Sequence, residues 1–577
     1  MYRTLIALAF LLLALPVWAA PPSGEAPGGR PVLSWSGMDP EGMAFVARAA
    51  LLGLESREVE PSLARKVLSD LLETRVDPGS FEGAAVARAL AEGALAMRSS
   101  DPALAGRMAG EATRLLQPVA SWMEDFGVFT KVHGVQEPVW VHGRPDVLAQ
   151  AVLAWVSLDK VQSDPNRLEL IRRGAEGLKS LFRGDFSRYP FGAHLSAVTA
   201  QGRPRTYVAP GTGDSVAGLS WVVERNQVVS ALSRAGQVLG DSTLLESAER
   251  EGLGLLAHLA VSGRIPHGYA PRPEFEASNP RSVAAVVENL ATLHQVVSKP
   301  VFSDLTGLAA ARLEGEGPLF EASRLLVARQ VARAGASRWV GARDLRPAFG
   351  TLVIEAEDGR AVEKAFEAVL IRYPGGTPGN LAVVGRENMF WMRFDVDRED
   401  EYLFYLAFLK SEVSGGLVSV MMRIDGDRIF QVNLGGASDD PYVDVDLVAG
   451  PRRLRQGPHS FGIRFSGLLM RQPAVLDSVI VQPAVARRWL TLRDGREVLA
   501  LKGLNSEPLR IRMEELEGEG EAPTWNLVSG MGNPVPAKLS TDRRGRVWLE
   551  MPPGGLAFLE WSGLIPGVER VEEEAMR

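Results

Sequence analysis

The sequence predicts a multidomain chain: an all-α body of α/α toroid-like helical hairpins, then an all-β sandwich and a small C-terminal β domain. Three observations predict it. The chain has 577 residues, too many for one hydrophobic core. Residues 41–334 read as helix after helix, joined by links of two lengths. Residues 351–483 switch to apolar side chains at every second position, the period of half-buried strands.

Taken in order, the first segment reads as a secretory signal peptide, residues 1–19. Arg3 supplies the positive start, and Leu5 to Trp18 is an apolar run short for a membrane span. Val17-Trp-Ala19 sets the expected cut after Ala19, because Pro21 hinders one after Ala20. Residues 20–40 form a Pro- and Gly-rich flexible leader. No later stretch is apolar for long enough to span a bilayer. The expected location is therefore secreted, periplasmic or cell-envelope, with no stable membrane span after cleavage. Net charge is −7 and the isoelectric point about 5.7, which argues against nucleic acid as a partner, since phosphate binding needs a basic face. There is no cysteine, so disulfides, thiolate metal sites and a Cys nucleophile are excluded.

The helical body, 41–334, divides into candidate helices 41–54, 60–73, 81–99, 102–124, 145–163, 165–182, 217–239, 242–262, 281–299, 300–313 and 318–334. Asp101-Pro102, Asp164-Pro165 and Asn279-Pro280 are start signals: a capping residue before a proline that suits a first turn. Short links join the helices within a hairpin. The links 125–144, 183–216 and 263–280 are long and each follows the second helix of a pair. Antiparallel hairpins place such links at one end of the array, so these three share a face. Four of the seven His residues lie in them, His133, His142, His194 and His267. Trp140, Tyr189, Tyr207 and Tyr269 lie there too, with Arg144 and Arg272. Long loops inside a compact body are usually functional, and aromatic faces with convergent polar groups line ligand clefts. Trp140, His142, Arg144, Tyr189, His194, Tyr207 and Arg272 are the candidate substrate-binding set. The alternative is that the aromatics pin the loops to the helices.

Residues 335–350 read as a linker. Beyond it, Phe390-Trp-Met-Arg-Phe-Asp-Val396, Val418-Ser-Val-Met-Met-Arg-Ile424 and His459-Ser-Phe-Gly-Ile-Arg-Phe465 alternate as strands of an antiparallel sandwich. The segment opens Thr351-Leu-Val-Ile-Glu-Ala-Glu-Asp-Gly359 and closes Val475-Leu-Asp-Ser-Val-Ile-Val-Gln-Pro483. Arg423-Ile-Asp-Gly426 and Gln456-Gly-Pro-His459 lie between. On these motifs the region resembles the galactose-binding-like carbohydrate-binding modules of families 6 and 35. The resemblance implies a structural Ca²⁺ held by Glu355, Glu357 and Asp477, oxygen ligands of the kind that ion takes. Gly385-Arg-Glu-Asn-Met and Glu399-Asp-Glu-Tyr402 depart from the family's ligand-facing loop and Gly-x-Tyr turn, so the resemblance reaches the sandwich before it reaches a sugar site. Ordinary surface carboxylates are the alternative for the triad. Residues 484–566 read as a β domain resembling those that follow catalytic domains in many glycosidases, and 567–577 as an acidic tail.

This domain order is similar to that of secreted carbohydrate-active enzymes with six-hairpin catalytic domains, both glycoside hydrolases and polysaccharide lyases. A hydrolase needs two carboxyl groups, one protonated and one ionised. Candidates are Asp146, Asp185, Asp214, Glu224 and Glu274. Asp214 is preferred because it sits in Gly211-Thr-Gly-Asp-Ser215 just before a helix. Glu224 is expected inside that helix near Trp221, where burial raises a carboxyl pKa. A lyase needs a base and a neutralising cation, which His267-Gly-Tyr-Ala-Pro-Arg272 supplies with Tyr269. The expected function is a glycoside hydrolase-like enzyme acting on a polysaccharide or oligosaccharide. A toroid-class lyase and a non-catalytic glycan-binding or envelope scaffold are the alternatives.

Overall fold

A computed structural model describes residues 33–126, 130–131, 141–143, 145–181, 198–199, 207–208, 215–216, 223–253, 265, 279–336, 339–342, 352–355, 360–361, 369–371, 381–384, 389–410, 418–434, 442–466, 474–492, 496–503, 507–517, 523–530 and 532–561. Among them are eleven helices: α1 (Pro40–Glu55), α2 (Pro61–Leu72), α3 (Phe81–Met97), α4 (Pro102–Phe126), α5 (Pro145–Val161), α6 (Pro165–Leu181), α7 (Val228–Leu239), α8 (Ser242–Glu251), α9 (Pro280–Val297), α10 (Pro300–Ala310) and α11 (Pro318–Ala334). Eight of them begin on proline, whose fixed φ and missing N–H suit a first turn. Side chains of Asp39, Ser80 and Asn279 cap α1, α3 and α9 by accepting the N–H of Gly42, Gly83 and Arg281.

The odd-numbered helices form a closed inner ring. α1 packs on α3, α3 on α5, α5 on α7, α7 on α9, α9 on α11, and α11 returns to α1. The even-numbered helices lie outside, each against its hairpin partner. Composition explains which is which. An inner helix is covered on every side, so α3 buries thirteen residues of its seventeen, six of them alanine, whereas outer α2 buries only Ala64, Val67, Leu68 and Leu71. Gly93 lets α3 approach both outer neighbours; a Cβ there would stand 2.8 Å from Leu68 and 3.1 Å from Met108.

Five short strands belong to the long links: β1 (Thr130–Lys131), β2 (Val141–Gly143), β3 (Val198–Thr199), β4 (Tyr207–Val208) and β5 (Ser215–Val216). β2 pairs with both β1 and β3, joining the link between α4 and α5 to the link between α6 and α7.

The next strand, β6 (Trp339–Ala342), lies within the expected linker and pairs with a strand far beyond it. The sandwich follows: β7 (Leu352–Glu355), β8 (Arg360–Ala361), β9 (Val369–Ile371), β10 (Leu381–Val384), β11 (Phe390–Val396), β12 (Asp400–Lys410), β13 (Val418–Ile424), β14 (Asp427–Leu434), β15 (Tyr442–Leu454), β16 (Gly457–Ser466) and β17 (Ala474–Pro483). One sheet runs β15-β12-β17-β10-β9 with β7 also on β17, and the other β14-β13-β16-β11-β8. Phe404 of the first sheet stacks on Phe461 of the second at 5.7 Å and meets Phe394 edge-on at 6.3 Å. The terminal β domain contains β18 (Val485–Leu492), β19 (Glu497–Gly503), β20 (Leu509–Arg512), β21 (Thr524–Val528), β22 (Lys538–Thr541), β23 (Val547–Met551) and β24 (Leu556–Glu560). Its larger sheet runs β21-β24-β19-β18-β6. The sandwich is thus an insertion between two paired strands of the terminal domain. Arg487, pairing with Asp400 at 3.3 Å and Glu515 at 3.4 Å, bolts the sandwich to that domain. Lys299 holds Glu249 at 2.7 Å and Asn533 at 3.0 Å, tying the terminal domain to the ring.

Two expected helices change. The one expected over 217–239 is broken ahead of Val228, where Asn226 accepts the N–H of Val228 at 3.2 Å and turns the chain, and 217–222 lie outside the described residues. The one expected over 242–262 is regular to Glu251, and 254–262 lie outside the described residues.

Candidate active site

Every link from an outer helix back to the ring arrives at the N-terminus of an inner helix, so these N-termini share one mouth. The described side chains there form one polar cluster. Arg225, just before α7, reaches Glu41 of α1 at 2.8 Å and Glu82 of α3 at 3.9 Å. Its guanidinium also lies over the Phe81 ring, 4.4 Å from the centroid. Arg281 of α9 pairs with the same Glu41 and lies 3.5 Å from Glu224. Asn279 donates its side-chain amide N–H to Glu224 at 3.1 Å.

Glu224 sits in a single 3-10 turn, Val223–Arg225, ahead of α7 rather than inside a helix. Asn289 of α9 fixes that turn: its side-chain amide donates to the Asn226 carbonyl at 2.7 Å and its oxygen accepts the N–H of Ser230 at 2.8 Å. The Glu224 side chain is only 6% exposed. Burial pushes its carboxyl up to about 7 from an ordinary 4.5, against the pull of Arg225 and the Asn279 amide, with Asp39 adding to the rise. Such a group carries its proton near neutrality and is poised to give it up, as general acid catalysis requires.

Two turns deeper the ring is filled by a second cluster. Arg48 of α1 and Arg88 of α3 both bind Glu288 of α9 and Glu92 of α3, and Arg88 also donates to Gln150 of α5 at 3.1 Å. Here burial pushes Glu92 up, but the two guanidiniums outweigh it and hold the carboxyl down at about 2. Glu92 leaves 28% of its side chain exposed.

Of the expected substrate-binding residues, His142 lies in β2, paired with Thr130 and Thr199, and Tyr207 lies in β4, paired with Val216. Trp140, Arg144, Tyr189, His194 and Arg272 lie outside the described residues, as do Asp214, His267, Tyr269, Asp185, Glu274 and Trp221. Asp146 is buried in the first turn of α5, at this mouth, and accepts the N–H of Val147 at 2.9 Å. Sequence reasoning missed Glu41, Asn279 and Arg281 as site residues. Their signal was position: all stand at the first turn of an inner helix, directly beside Pro40 or Pro280.

In the sandwich, Glu355 ends β7 and pairs with Ser478, the residue after Asp477 in β17. The β12–β17 ladder is irregular there. Glu357 lies outside the described residues. Among the described residues no group of three His, Asp or Glu stands ready for a metal. Asp425 and His459, expected as separate motif residues, meet: His459 Nδ1 lies 2.7 Å from the Asp425 carboxylate, which also accepts the Ser460 N–H at 2.8 Å. This closes the β13–β14 turn onto β16.

No protein-family model and no curated protein matches the chain. Among solved structures, the GH76A α-1,6-mannanase from Salegentibacter sp. HEL1_6 is similar at 13% identity and TM-score 0.36, over 52% of this chain and 90% of that one. A GH127 β-arabinofuranosidase is similar at 10% identity and TM-score 0.33, over 90% and 84%. The Podospora anserina GH26-CBM35 β-(1,4)-mannanase is similar at 13% identity and TM-score 0.19, over 23% of this chain and 28% of that one. The chain thus spans under a third of that mannanase's length. These likenesses are faint, and the fold stands on its own ring closure and strand registers.

Proposed function

We propose that this chain is a carbohydrate-active enzyme of the glycoside hydrolase type, with Glu224 as the proton donor. The observation that carries this reading is one buried carboxyl, protonated near neutrality, at the mouth where the ring's long links return. Hydrolysis needs that proton on the departing oxygen and a second, ionised carboxylate to activate water or attack carbon. Glu41 is committed to Arg225 and Arg281, so the second role falls to Asp214, with His267 and Tyr269 as further polar groups of the same links. Trp140, His142, Arg144, Tyr189, His194, Tyr207 and Arg272 would line the cleft.

Arg225 and Arg281 also favour a second reading, β-elimination on a uronate, because guanidiniums neutralise a substrate carboxylate. It ranks lower because both already serve Glu41. Incubation with plant, fungal and bacterial polysaccharides separates the readings. The hydrolase releases reducing ends without new ultraviolet absorbance. A lyase generates the absorbing unsaturated product, and a scaffold generates neither.

The sandwich is proposed as a carbohydrate-binding module with Ca²⁺ held by Glu355, Glu357 and Asp477. Glu355 pairs with Ser478, one position from Asp477, so the register brings together the two strands that carry these residues. The ion would supply a cross-strand tie rather than catalysis. Chelation is expected to lower the melting temperature of the sandwich, and an unchanged melting temperature removes the ion from the proposal. Secretion or envelope location is likewise proposed, from the N-terminal signal. No described helix is long and apolar enough to cross a membrane.

A further inference from the structure

Outside the ring mouth, Trp548 lies in β23 of the terminal domain. Three guanidiniums surround its ring: Arg453, Arg510 and Arg546 lie 4.8, 5.1 and 5.6 Å from the centroid. Arg453 comes from the tip of β15 in the sandwich and the other two from the terminal domain, so the patch spans the junction. The adjacent turn is built to present more charge. Asp542 accepts the N–H groups of Arg544 and Arg546, and Gly545 takes φ +77° to complete the bend. Arg543 and Arg544 are left exposed at its apex, and Lys538 lies on exposed β22.

Among the described residues, three of these cations have carboxylate partners and three do not. Arg453 pairs with Glu399 at 2.9 Å, Arg546 with Asp542 at 2.7 Å and Lys538 with Glu550 at 3.4 Å. Arg510 donates to the Ser540 hydroxyl at 3.0 Å and has no ion pair among the described residues. Arg543 and Arg544 make no ion pair among the described residues. In a chain of net charge −7, Arg510, Arg543 and Arg544 thus stand together on this face with no ion pair among the described residues. Like charges held together on a fixed hairpin repel unless an anion joins them.

We propose that this face binds an anionic polysaccharide through Arg510, Arg543 and Arg544. Planar guanidiniums match carboxylates in fork geometry. The interleaved Glu399, Asp542 and Glu550 disfavour a densely charged polyanion more than one of lower charge density. The choice of glycan over other polyanions rests on the carbohydrate reading of the ring. A second contact on the same polymer raises its effective concentration at the mouth.

The test uses the full chain carrying Glu224→Gln, so that retention is read without turnover. Affinity electrophoresis compares gels containing polygalacturonate, dextran and duplex DNA. Polygalacturonate is expected to retard the protein, and salt near 1 M, where the Debye length is about 3 Å, to abolish the retardation. Adding Arg510→Ala, Arg543→Ala and Arg544→Ala is expected to weaken binding at least about tenfold, a loss of about 1.4 kcal/mol, with the melting temperature unchanged. Absence of retardation, equal retardation by dextran, tighter binding to DNA, or a triple variant that binds like its parent would each overturn the proposal. Because the parent variant is already silent at Glu224, these outcomes stand apart from whether Glu224 is catalytic.

Discussion

The ring contains two buried clusters made from the same parts, and they end in opposite states. In the lumen, Glu92 is hydrogen-bonded by Arg48 and Arg88 at 2.9 and 2.8 Å, and its carboxyl is held down at about 2. At the mouth, Glu224 lies 3.5 Å from Arg281, which also serves Glu41, yet burial outweighs the pull of Arg225 and the Asn279 amide and lifts its carboxyl to about 7. Burial raises both groups; the allocation of guanidiniums decides the outcome. A cluster in which guanidiniums outweigh burial holds helices together, whereas a carboxyl for which burial outweighs the neighbouring guanidiniums has a proton to transfer. This difference separates the structural acid from the functional one.

The comparison is broken most forcefully at Glu224. Glu224→Gln keeps the shape and removes the transferable proton, so turnover is expected to fall about 10²- to 10⁴-fold with KM nearly unchanged, read by reducing-end release. Removing a lumen guanidinium should instead strike stability. Arg88→Met leaves Glu288 and Glu92 sharing Arg48 alone, at an expected cost of about 3–5 kcal/mol, measured as an earlier thermal transition of the ring. Asn279→Asp is milder. It keeps the cap on α9 but replaces the amide donor with a negative charge, and both changes favour protonated Glu224. The alkaline limb of the pH–activity curve, set by loss of the Glu224 proton near 7, is expected to move up by about one unit, worth about 1.4 kcal/mol.

The ring was largely legible because its punctuation is local. Capping residues before prolines start the helices, and alternating link lengths imply hairpins with their returns at one end. The pairing of β2 with β3 agrees with that shared end for two of the long links. The distinction of inner from outer helices rests on burial around the whole circumference, which the alanine content of α3 hinted at. The charge allocation was not legible. Arg225 and Glu41 meet across 184 positions of sequence, and Arg281 and Glu41 each look like an unremarkable first-turn residue. Strand β6 was missed for the same reason, since its partner β18 lies beyond the whole sandwich. Glu224 was legible as a candidate but not in its setting. Its turn is fixed by Asn289, on a helix that only the closed ring brings alongside.

The central claim is that Glu224 is neutral in the folded chain over a range where it is ionised in the unfolded one. A raised carboxyl pKa stabilises the fold at low pH, and this advantage fades as pH climbs from the ordinary 4.5 towards 7. The most direct measurement is equilibrium unfolding of the wild type and Glu224→Gln across that window. The wild type is predicted to lose stability relative to the variant as pH rises, by on the order of 3 kcal/mol, and to level off above about 7. A stability difference that stays constant, or that widens in the opposite direction, would contradict the account.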